Sequence, residues 1–337
     1  MAQRALPVIG AILVAGLVIG PVVAVIWRAG GLTSLGAPDY AALWFTLWQA
    51  AVSAAVSVAL AIPVARALSR QRFPGRSLLI ALLGAPFILP VIVAVLGLLA
   101  VFGGNGLVNR LGGAMGLPRM DIYGYHGVIL AHVFFNLPLA TRLILQGWLA
   151  IPAERFRLAA SLDAPVGRLL EWPMLRRIAP GAFAVIFVIC LTSFAVALTL
   201  GGGPRATTVE LAIYQAFKFD FDLGKAATLA LVQLALGVCA ALALLLLSPP
   251  DGFGAGLDRL QQRWDVQAGA ARIGDVAWIA FATLFLLSPL AMIVLAGLPG
   301  LVSLPPEVWW AALRSLTVAL GATALTLVLA LPLATRA

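Results

Sequence analysis

Eight uninterrupted apolar runs constrain this chain more than any other feature. They are Leu6–Trp27, Phe45–Leu68, Leu78–Phe102, Gly127–Trp148, Gly181–Leu200, Ala226–Leu247, Val276–Leu295 and Ala311–Ala334. A bilayer core about 30 Å thick is crossed by roughly 20 apolar residues in helical form. A membrane barrel would instead show short alternating segments. The expected fold is therefore all-α, a polytopic transmembrane helical protein. Composition agrees: 62% of the 337 residues are hydrophobic and 10% charged, against roughly 25% charged in ordinary soluble domains. That excludes a water-soluble enzyme, a disordered chain and a disulfide scaffold. Cys190 and Cys239 both lie inside apolar runs, the wrong setting for a disulfide framework or zinc cluster. The first run exceeds the roughly 7–15 residues of a signal-peptide core, so it is read as a retained anchor.

The net charge of +9 belongs to topology, and no nucleic-acid partner is expected. With the N-terminus in the cytoplasm, fifteen of the 22 Lys and Arg residues fall on the inner side, among them Arg66, Arg70, Arg72, Arg76, Arg155, Arg157, Arg168, Arg176 and Arg177. The positive-inside rule therefore predicts a multi-pass protein with a cytoplasmic N-terminus. Residues 149–180 form a long charged internal loop, and residues 248–275 a polar cytoplasmic linker.

A shift of 269 residues lays Pro63 on Pro332, and a shift of 268 lays Pro21 on Pro289. Spans 1 and 2 thus match spans 7 and 8 in the same orientation, a parallel repeat. Residues 1–247 are read as a first six-span copy, and residues 276–337 as the start of a second, incomplete one. The chain is then either a fragment of a longer protein or a shortened product.

All thirteen acids sit in loops or at span edges. Ion-coupled carriers place ionisable groups inside the membrane, so their absence argues against a secondary carrier. No metal-binding helix motif occurs. The sole Gly-Lys pair, Gly224-Lys225, is followed by alanine, so no Walker motif exists. No cofactor, no metal and no catalytic residue is expected. His126 and His132, six apart, are read as hydrogen-bonded histidines in or near a span.

The internal loop predicts a helix from Ala153 to about Asp163, a corner at Ala164-Pro165, and a second helix. Leu158 and Leu162 share a face, and Ala159, Ala160 and Ser161 are small enough for close approach of a partner. The loop is read either as a topology anchor or as a docking element.

Here the chain resembles the permease subunits of ABC importers, whose cytoplasmic Glu-Ala-Ala-x-x-x-Gly motif docks on an ATPase subunit. The matching stretch is Leu158-Ala159-Ala160-Ser161-Leu162-Asp163-Ala164, then Trp172-Pro173. Leu158 stands for the acid and Ala164 for the glycine. Glu171–Arg177 and Leu200–Ala216 look like the thiamine permease subfamily. The resemblance implies the type I importer permease fold and a translocation path for thiamine or its phosphate esters. Its implied partners are ABC ATPase subunits and a periplasmic binding protein. It assigns the ATPase-coupling loop to Arg157, Leu158, Ala159, Ala160, Ser161, Leu162, Asp163, Ala164, Pro165, Gly167 and Pro173. A duplicated ferric-iron permease and a lone secondary carrier are the alternatives. Phe187, Thr192 and Phe194 are read as lining the substrate path or as ordinary packing. Gly201, Gly202 and Gly203 are read as the end of span 5 or as a periplasmic gate.

Overall fold

The computed structural model describes residues 2–203, 206–247 and 269–334. Its helices are α1 (Ala2–Ala29), α2 (Ala37–Arg70), α3 (Arg76–Leu82), α4 (Ala85–Ile88), α5 (Val91–Phe102), α6 (Leu107–Ala114), α7 (Tyr125–Leu149), α8 (Ala153–Ser161), α9 (Trp172–Leu191), α10 (Ala195–Leu200), α11 (Val209–Lys218), α12 (Leu223–Leu247), α13 (Ala270–Gly297) and α14 (Pro306–Ala334). A π-helical turn, Gly167–Glu171, leads into α9, and a 3-10 turn, Leu298–Ser303, follows α13. No strand occurs among the described residues. Eight helical stretches there are long and apolar enough to cross a membrane, the number that the hydrophobic runs predict. Helix is forced on such segments because hydrocarbon offers no partners to peptide groups. Most of the internal linker, residues 248–268, lies outside the described residues.

The chain forms two compact units. One comprises residues 35–215 and 229–293. Its core is the packing of α2, α7 and α9. Helix α2 starts with Pro38 in its first turn and the Asp39 carboxylate accepting from Gly36 N at 2.8 Å, both favourable at a helix N-terminus. Ala50, Ala54, Ala61 and Ala65 of α2 are fully buried, and such small residues let helices approach closely. Opposite them pack Phe134, Leu137, Ile144 and Leu145 of α7 and Ile186 and Leu191 of α9. The other unit comprises residues up to 34, residues 216–228 and residues from 294 onward. There α1 packs on α14, and Thr33 N donates to Thr228 Oγ1 at 3.0 Å.

Two expected spans differ from the structure. Leu78–Phe102 is not one helix. It breaks at Gly84 and again at Leu89–Pro90, where Leu89 is extended. Pro90 lacks an N–H and disfavours helix at the residue before it. The span expected at Gly181–Leu200 starts earlier. Helix α9 already runs from Trp172, so Trp172–Pro180, read as loop, belongs to it. It stops at Leu191, and Ala195–Leu200 is the separate helix α10.

Candidate functional site

The internal loop folds as a helical hairpin. Pro152 caps α8, which ends at Ser161, close to the expected stretch. The corner is built by Asp163, whose φ of +46° is left-handed, while Ala164 N donates to Ala159 O at 2.8 Å. Asp is among the few non-glycine residues that occasionally adopt this conformation, so the corner forms with alanine at position 164. Pro165 O then accepts from Arg168 N and Leu169 N, both at 3.1 Å, opening the π-helical turn.

The hairpin has an inner and an outer face. Phe156, Ala159 and Val166 are buried in the core of their own unit. Ala159, expected to admit a partner, is thus turned inward, because its position on α8 faces the core beside Phe156. Leu158, Leu162 and Leu169 are 60%, 68% and 54% exposed, and Ala160, Ser161, Asp163, Pro165 and Pro173 are exposed beside them. Arg157 pairs with Glu154 at 3.0 Å on the surface. Gly167 is half-buried. The outer face of the hairpin thus carries exposed leucines beside charged residues.

At the other end of α9 the core carries a polar face that the sequence reading missed. Thr46, Gln49, Ser53 and Ser57 of α2 are fully buried, and their spacing of three and four residues puts them on one side of the helix. Gln49 and, through His132, Ser53 reach the break after α9, while Thr46 Oγ1 accepts from Val209 N at 2.9 Å. Gln49 Nε2 donates to Cys190 O at 2.9 Å. From α12, Gln233 Nε2 donates to Leu191 O at 3.0 Å. His132 links Ser53 Oγ at 3.3 Å to Ser193 Oγ at 2.7 Å, which bears out its reading as a hydrogen-bonded histidine. The last carbonyls of a helix lack intrahelical donors, so the Gln49 and Gln233 amides replace donors that the break removes. The period of polar residues in α2 was the available signal.

The residues expected along a path have these surroundings. Phe187 stacks on Phe183 with ring centroids 6.2 Å apart. Phe183 lines a groove of about 550 Å3 with Ala55, Val58, Ala59, Ile62, Trp172, Leu175, Arg176, Ala179 and Pro180. Thr192 lies in the break, its hydroxyl bonded to Val188 O and Ile189 O. Phe194 precedes α10 and packs on Tyr214, centroids 5.2 Å apart. Gly201 closes α10 rather than the span helix. Gly202, at φ +65°, lies where a Cβ would come within 3.2 Å of Gly124 N and of Tyr123 Cβ, and Gly124 N donates to Leu200 O at 2.7 Å. Gly202 thus admits close approach of the loop before α7. Gly203 has φ +122° and open space around it.

No family model matches the chain. It is 42% identical over 277 residues to the thiamine transport system permease protein ThiP of Brucella abortus (strain 2308), covering 80% of this chain and 51% of that protein. The protein of the same name from Escherichia coli (strain K12) is 44% identical over 278 residues, with the same coverage. The chain thus spans about half the length of these curated relatives. Among solved structures, a bacterial alginate ABC transporter in complex with an alginate pentasaccharide-bound periplasmic protein aligns with TM-score 0.50 and 16% identity, covering 63% of this chain and 77% of that one. The chain is therefore a multi-pass membrane protein, related by sequence to the thiamine transport permeases over four-fifths of its length and by fold to a chain of an ABC transporter.

Proposed function

We propose that the chain is membrane-subunit sequence of an ATP-driven importer that carries thiamine or its phosphate esters across the bacterial inner membrane, with its N-terminus in the cytoplasm. The identity to the ThiP proteins supports the cargo. Residues 1–247 act as one permease repeat, residues 248–275 as a linker, and residues 276–337 as the start of a second repeat. A periplasmic binding protein delivers the cargo. ATP closes two partner ATPase subunits, and their motion reaches the spans through α8.

The observation that carries the coupling role is the two-faced hairpin. Phe156 and Ala159 hold it to the core, while Leu158 and Leu162 stand exposed. Arg157, Leu158, Ala160, Ser161, Leu162, Asp163, Ala164, Pro165, Gly167 and Pro173 are assigned to the dock, with Ala159 as its inner anchor. Phe187, Thr192 and Phe194 are assigned to the path, and Gly201–Gly203 to a gate at its periplasmic end. Thiamine is a cationic aromatic ligand, and aromatic faces attract such cations.

The test is Ala160→Arg. The added side chain projects from the exposed surface of the hairpin, so the permease folds normally. Co-purification of the ATPase and cargo-stimulated ATP hydrolysis are both expected to fall. Unchanged values for both would overturn the docking role. Uptake of ferric iron instead of thiamine by the wild-type importer would overturn the cargo.

A further inference from the structure

Resting on the coupling role just proposed, we propose that Glu171 and Arg66 form the joint through which movement of the α8 hairpin reaches the membrane core. Glu171 is a positioning residue at the end of the π-helical turn, and it ties that turn to two core helices at once. Its Oε2 accepts from Arg66 Nε of α2 at 2.9 Å. Its main-chain oxygen accepts from Trp148 Nε1, in the last turn of α7, at 3.1 Å. Its own chain continues directly into α9. The three helices that build the core therefore meet at one residue of the loop.

Phe156, Ala159 and Val166, which also hold the hairpin to the core, are apolar side chains. Such contacts resist separation but permit sliding, because dispersion has little directional preference. A charge-assisted hydrogen bond has a fixed length and direction. The turn also lies over the pair: a Cβ on Gly167 would sit 3.6 Å from both Arg66 Nη2 and Glu171 Oε2. Rotation of the turn therefore displaces the ion pair before it displaces the helices. The Glu171 side chain is 6% exposed, while that of Arg66 is 45% exposed. The guanidinium thus reaches solvent while the carboxylate it holds is nearly buried, so the carboxylate depends on this partner. The value of the pair lies in the direction it imposes.

The experiment uses the full chain with its ATPase subunits and thiamine-loaded binding protein in proteoliposomes. It compares wild type, Arg66→Glu, Glu171→Arg and the exchanged pair Arg66→Glu with Glu171→Arg, and adds Arg66→Gln because that exposed position tolerates change. Arg66→Gln and Arg66→Glu are expected to keep the ATPase bound and basal hydrolysis unchanged. Stimulation by the loaded binding protein is expected to drop at least about fivefold, the lower end of ordinary coupling between sites. The exchanged pair restores it to within about twofold of wild type, as a double-mutant cycle requires of a direct partner. Normal stimulation in Arg66→Gln, or no recovery in the exchanged pair, overturns the joint while leaving docking intact. Loss of the bound ATPase in Arg66→Gln also overturns it, since the defect is then in docking. Failure of the wild-type chain to bind any ATPase would overturn the importer reading and the joint together.

Discussion

The side-chain amide of Gln49, in the middle of α2, donates to the main-chain oxygen of Cys190 across 2.9 Å, one residue before α9 stops at Leu191. The next carbonyl, that of Leu191, is taken by Gln233 from α12 at 3.0 Å. Two amides from different helices thus hold one interruption of a membrane helix. A buried carbonyl left without a donor costs about 1–3 kcal/mol, so the break persists because α2 and α12 supply what the helix lost.

Gln49→Leu is therefore expected to destabilise the folded protein by about 1–3 kcal/mol, read as a lower thermal midpoint in detergent. Gln233→Leu is expected to act likewise. The double variant should lose less than the sum, because once one carbonyl is orphaned the break relaxes and the second bond is already weakened. Strict additivity would show that the two amides do not hold a common element.

His132 should keep the same break closed. Cys190 is a free, buried thiol beside it, while the free Cys239 is exposed. In a Cys239→Ser background, a maleimide should label Cys190 only through local opening. His132→Ala removes the links to Ser53 and Ser193 and is expected to speed labelling about tenfold, which corresponds to about 1.4 kcal/mol lost from the closed state. An unchanged rate would remove His132 from the clamp.

Gly97 marks a close crossing of α5 and α13. A Cβ there would stand 2.7 Å from Pro289 O and 2.8 Å from Ile293 Cδ1. The isoleucine end can swing aside, but the carbonyl is backbone. Gly97→Ala is expected to cost about 1–3 kcal/mol through overpacking. Gly113, in α6, has nothing within 4 Å of such an atom, so Gly113→Ala should be neutral or slightly stabilising. Equal melting shifts for the two would refute the crossing.

Glu210, at the start of α11, sets a pH dependence. Burial raises its carboxyl above the ordinary carboxylate range, and a hydrogen bond with the Gln233 side chain opposes part of that rise. A carboxyl raised in the folded state binds its proton more tightly there than when unfolded. Its contribution to stability is full below the ordinary carboxylate pKa and is lost as pH climbs through the folded value. Glu210→Gln should flatten that fall and raise the midpoint at neutral pH. Melting curves from about pH 4 to about pH 8 that run parallel for the two proteins would contradict this.

Apolarity is a property of each residue and lipid leaves helix as the answer, so the number of membrane helices was legible without a structure. So was the hairpin from Ala153 to the corner at Pro165, because Pro165 and the small residues before it act locally. The interruption at Thr192–Phe194 was not legible. No proline or glycine marks it, and it depends on donors from Gln49 and Gln233, which lie 141 and 42 residues from the carbonyls they serve. Arg66 and Glu171, 105 residues apart, read as a topology charge and a loop acid until folding placed them in contact. Local chemistry determined which segments are helical. Local chemistry also set the break at Pro90, whereas tertiary packing decided the break after Leu191 and which polar groups meet, because a helix broken without a proline survives in a membrane only where other helices supply the missing hydrogen bonds.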